Sequence, residues 1–80
     1  MICDGCFVQT ISSRNVHSFV RAAGKIEGSV LIVKNNRSAN AKSMLSVLSL
    51  SLYKDDKVEV CVKTGQESAA RQILREFVIF

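Results

Sequence analysis

The sequence predicts an α+β domain, a four-stranded antiparallel sheet covered on one face by three helices in the order β-α-β-β-α-β-α. Three observations carry this. Residues 57–63 (Lys-Val-Glu-Val-Cys-Val-Lys) alternate apolar and polar, as a strand with one buried and one wet face does. Val16, Phe19, Val20 and Ala23 recur at i, i+3, i+4 and i+7, one stripe of a helix. Each predicted helix has a single apolar stripe, which suits helices laid on one side of an antiparallel sheet.

Taken in order, Ile2 to Val8 is the first strand, with Gly5 as its weak point. The first helix runs from about Ser12 to Lys25, with Ser12 or Ser13 as cap and Gly24 as stop. Gly28 to Lys34 is β-branched and apolar, a strand. Asn35-Asn36 is turn chemistry, and Arg37 to Asn40 returns as the second arm of a hairpin. Ser43 stands at an N-cap position, with a short helix behind it to about Leu50. Lys54-Asp55-Asp56 turns into the alternating strand, and Thr64-Gly65 ends it. A last helix from about Gln66 places Ala70, Ile73, Leu74 and Phe77 on its apolar face.

Eighty residues make one domain, spanning 1–80, and the 48% hydrophobic content is enough for a core. The net charge is +4, but the basic residues are scattered, so nucleic acid is not the reading. The N-terminal residues lack a basic, apolar leader pattern, and no apolar run approaches a membrane span. Three cysteines form a poor disulfide framework, which favours a reducing, cytoplasmic setting.

The run Asn40-Ala41-Lys42-Ser43-Met44-Leu45-Ser46-Val47-Leu48 carries the functional signal. A helix N-terminus favours added negative charge, so Ser43 is a candidate phosphorylation site. Met44, Leu45, Val47 and Leu48 exceed what so short a helix can bury, so some form a contact surface. From Lys34 through Met44, and again at Ser49-Leu50, Lys54-Asp55 and Val58-Val60-Val62, the chain resembles the phosphocarrier HPr family of the bacterial sugar phosphotransferase system. The resemblance implies an open-faced β-sandwich and no catalytic activity of the domain's own.

The family's active-site segment is G-[LI]-H-A-R-P-A. Aligned back from Ser43 without gaps, it falls on Thr10-Ile11-Ser12-Ser13-Arg14-Asn15-Val16. Ile11 and Arg14 match, whereas Ser12 stands where the phosphoacceptor histidine belongs. A hydroxyl is a poor nucleophile without an adjacent base, and its phosphate ester does not transfer onward easily. The resemblance therefore implies a regulatory paralogue that does not carry phosphohistidine. Its partners would be phosphotransferase-system proteins or a transcriptional regulator, with a serine kinase acting on Ser43. Arg14, Met44, Leu45 and Leu48 are the partner-binding candidates. Ser46, where the family usually has glycine, adds bulk to that surface.

Two alternatives stay open. One is a working phosphocarrier that uses His17, which the segment Asn15-Val16-His17 allows only with a five-residue deletion and an apolar face out of register. The other is a thiol-redox or metal-binding protein built on Cys3-Asp4-Gly5-Cys6. Opposite parity on a strand sends Cys3 and Cys6 to opposite faces, and only Cys61 and His17 remain as further soft ligands. No metal or cofactor is expected, nor a nucleic-acid or membrane partner, and the state is a monomer or weak dimer.

Overall fold

The computed structural model describes residues 2–63 and 65–80. Eight elements follow one another: β1 (Ile2–Phe7), α1 (Val16–Gly24), β2 (Val30–Lys34), β3 (Arg37–Asn40), α2 (Met44–Ser49), β4 (Lys57–Val62), α3 (Glu67–Leu74) and β5 (Val78–Ile79). The strands make one antiparallel sheet in the order β3-β2-β4-β1-β5. The sheet thus has five strands, not the four expected. Val78 and Ile79 pair with Phe7 and Cys6, along the outer edge of β1.

Alternation decides which face is buried. Val58, Val60 and Val62 of β4, Val30 and Ile32 of β2, and Phe7 of β1 point to the helix side and are buried. Under the helices, Phe19 of α1 lies 5.7 Å from Phe7 and 5.3 Å, edge to face, from Phe77. Such pairs add to the apolar area that aromatic rings bury. Among the described residues, no helix lies on the other face of the sheet, where Asp4, Lys57 and Glu59 are exposed.

Three boundaries differ from expectation. Regular helix begins at Val16, because Ser12 heads a turn: its carbonyl accepts from Asn15 (3.2 Å) and Val16 (2.9 Å). Gly24 lies inside the last turn of α1, and Lys25 follows it in ordinary helical conformation. α3 ends at Leu74, so Phe77 belongs to the turn into β5 rather than to a helix face. Thr64, part of the expected break after β4, lies outside the described residues.

Gly5 has a specific reason to be glycine. A Cβ there would sit 2.5 Å from Val78 Cγ1, so the missing side chain is what lets β5 close on β1. Asn35 (φ 57°) turns the β2–β3 hairpin in the left-handed region, which asparagine tolerates better than most residues.

The loop between α2 and β4 is tied to the hairpin through Lys34. Its ammonium pairs with Asp56 Oδ2 at 2.7 Å, donates to the Ser51 carbonyl at 2.5 Å, and lies 5.1 Å from the Tyr53 ring centroid. The Lys34 hydrogen bond, then the Tyr53 backbone N–H, holds the Asp56 carboxyl below its ordinary 3.8. A depressed folded-state pKa contributes stability above the unfolded value, and that contribution is lost as pH falls through the folded one. Below about pH 4, Asp56→Asn should therefore show a flatter fall in unfolding free energy than the parent. Urea titrations from about pH 2 to 6 measure it.

Candidate functional site

Within the segment 9–16 the side chain that makes the most hydrogen bonds is Asn15. Its Oδ1 accepts from the Ser12 N–H at 2.8 Å, and its Nδ2 donates to the Thr10 carbonyl at 2.8 Å and to Gln9 Oε1 at 3.1 Å. Ile11 is buried and its N–H donates to the Leu52 carbonyl at 2.9 Å. These bonds fix Ser12 at the head of the turn into α1, half-buried, with its Oγ accepting from the Arg14 N–H at 3.3 Å. That is capping chemistry, although the regular helix starts later. Arg14 and His17 are both exposed, His17 within the first turn of α1.

Asn15 was visible in the sequence only as a departure from the family segment. Its positioning role was missed there. The available signal was the habit of asparagine of bonding nearby backbone at turns and caps.

Ser43 is the N-cap of α2, as expected. Its backbone is extended (φ −118°, ψ 119°), and its Oγ accepts from the Ser46 N–H at 3.4 Å. Lys42 precedes it, but the Lys42 ammonium is drawn away to the Ile26 carbonyl at 2.6 Å. The Lys42 N–H donates to Asn40 Oδ1 at 2.9 Å, so the residues leading into the cap are bonded locally. At the other end of α2, Arg37 of β3 donates to the Ser49 carbonyl at 2.8 Å, which complements the helix dipole.

The apolar run on α2 divides. Val47 is buried and Leu48 packs partly on the core, while Met44 and Leu45 are exposed, Leu45 by 82%. α1 and α2 are in contact, but Arg14 lies on the segment entering α1 and Met44 and Leu45 on the first turn of α2.

Cys3 and Cys6 lie on opposite faces of β1. Arg71 of α3 donates to Cys3 Sγ at 3.6 Å on the helix side, whereas Cys6 lines a hollow on the open side. Residues three apart on a strand are separated by about 10 Å, beyond the reach of a disulfide. The C-x-x-C alternative therefore lacks the geometry for either thiol exchange between the pair or joint metal binding. Among the described residues, no three His, Cys, Asp or Glu side chains are grouped to hold a metal ion. None of the described helices is long and apolar enough to cross a membrane.

The family model described as the PTS HPr component phosphorylation site matches residues 9–79. The chain belongs to the PTS HPr family. Solved structures agree with this fold. HPr-C-His from Thermoanaerobacter tengcongensis superimposes with a TM-score of 0.82 at 22% identity, over 95% of this chain and 88% of that one. HPr from Bacillus anthracis gives 0.80 at 18% identity, over 95% and 96%. The histidine-containing phosphocarrier protein of Mycoplasma gives 0.79 at 14% identity, over 95% and 89%. No curated protein matches the sequence.

Proposed function

We propose that this HPr-family protein works as a regulatory binding protein and does not carry phosphohistidine. The observation that carries this reading is Ser12, which falls on the phosphoacceptor position when the active-site segment is aligned back from Ser43. Its hydroxyl oxygen is taken up by the Arg14 N–H, and among the described residues no imidazole or carboxylate is hydrogen-bonded to it as a base. On this reading Ser43 is the residue that is modified, by a serine kinase. Arg14, Met44, Leu45 and Leu48 form the surface that a transcriptional regulator or another phosphotransferase-system protein reads, in the cytoplasm.

Two incubations test it. With phosphoenolpyruvate and Enzyme I the protein should stay unlabelled. A transferable phosphoryl group would overturn the reading, and its loss in a His17→Ala variant would assign it to the rival carrier, which rests on the segment Asn15-Val16-His17 and on the exposure of His17. With ATP and an HPr serine kinase, mass spectrometry should find one phosphate, on Ser43. Its absence would remove the regulatory switch.

A further inference from the structure

The uncovered face of the sheet has a composition that the site on α1 and α2 does not explain. Strand β2 reads Val30-Leu31-Ile32-Val33, a continuous apolar run of the kind found in strands covered on both sides. Here only Val30 and Ile32 are covered, and Leu31 remains 39% exposed. Val33 lines the open-face hollow with Asp4, Cys6, Lys57, Glu59 and Ile79.

The charges on this face are also incomplete. Asp4 of β1 and Glu59 of β4 are direct cross-strand partners, and like charges so placed destabilise the pairing. Among the described residues neither carboxylate has a cation within ion-pair distance. Lys57 is on the same face, two residues before Glu59, about 6.8 Å along the strand.

We infer that the open face is the self-association surface of this protein, and that its occupant is a second copy. A two-fold axis lying across β4 at the level of Val58 exchanges the positions of Lys57 and Glu59. Two sheets stacked about 10 Å apart in this way set each Lys57 over the partner copy's Asp4–Glu59 pair, twice by symmetry. The cation that each acidic pair lacks is thus supplied by the other copy. Val33, at the level of Glu59, is covered in the same contact. With the axis at Val58 the two faces overlap over a strip of roughly 24 by 10 Å, well below the ~800 Å² per partner of a standard interface, so the dimer is a weak one.

The test is sedimentation of the full chain over about 10 µM to 1 mM, with Lys57→Glu and Glu59→Lys as single variants. Circular dichroism confirms that each is folded. The parent should dimerise in this range, and each reversal should weaken association at least ~tenfold: Lys57→Glu sets a carboxylate over each acidic pair, and Glu59→Lys sets a lysine against Lys57 twice and leaves it only Asp4. An equimolar mixture of the two variants should recover association as a one-to-one heterodimer, since opposite charges meet again at both positions. A parent that stays monomeric, reversals without effect, or a mixture that fails to associate would each overturn the inference.

Discussion

Phe19→Ala should remove about 3–5 kcal/mol of unfolding free energy, the usual cost of deleting a buried phenyl ring. Phe19 is fully buried and lies between Phe7 of the sheet and Phe77 of the turn into β5. It therefore joins the first strand, the first helix and the last turn. A domain of this size has roughly 4–12 kcal/mol in all, so the variant should lose between about a quarter and the whole of it, read as a lower urea midpoint. Phe19→Leu keeps most of the volume and should lose well under half as much. Equal losses in the two variants would mean that the rings are not packed as described. Because Phe7 precedes the Gln9–Asn15 bonds and Phe19 follows them, loosening this contact should also release the turn that fixes Ser12.

The parts of the fold that were legible in the sequence are those set by local chemistry. Alternation in residues 57–63 and the α1 stripe place two elements and their buried faces without reference to the rest of the chain. Ser43 was legible for the same reason, since an N-cap bonds its own helix three residues on. Strand β5 was not, because two residues carry no period and the apolar run through Phe77 reads equally well as helix. The late start of α1 was hidden too, because Ser12 and Asn15 both satisfy backbone groups and their division of labour depends on Thr10 and Gln9. Contacts between distant residues, such as Lys34 with Asp56 and Gly5 with Val78, leave no mark in a single sequence. Membership of the HPr family was legible because the spacing from Lys34 to Val62 is long enough to be specific.

Gly28→Ala should cost on the order of 3 kcal/mol, a large effect for one methyl group. Two terms add. Gly28 has φ 84°, where a Cβ meets steric strain, and that Cβ would lie 2.0 Å from the Lys63 carbonyl oxygen. The obstacle is backbone, held by the Lys63 N–H bond to the Ser29 carbonyl at 3.0 Å, so no rotamer change relieves it. Gly24→Ala is the internal control. It lies in α1 with nothing within 4 Å of its added Cβ, and should be neutral or stabilise by about 0.5–1 kcal/mol. Thermal unfolding of the two variants beside the parent gives the comparison, and a Gly28→Ala protein as stable as Gly24→Ala would sink the argument. The same displacement has a functional consequence. Ile26, two residues before Gly28, anchors the Lys42 ammonium, and Val30, two residues after it, accepts from the Ala41 N–H at 2.9 Å. Moving this loop loosens the segment that presents Ser43, so hydrogen exchange at residues 41–46 should quicken in Gly28→Ala and stay unchanged in Gly24→Ala.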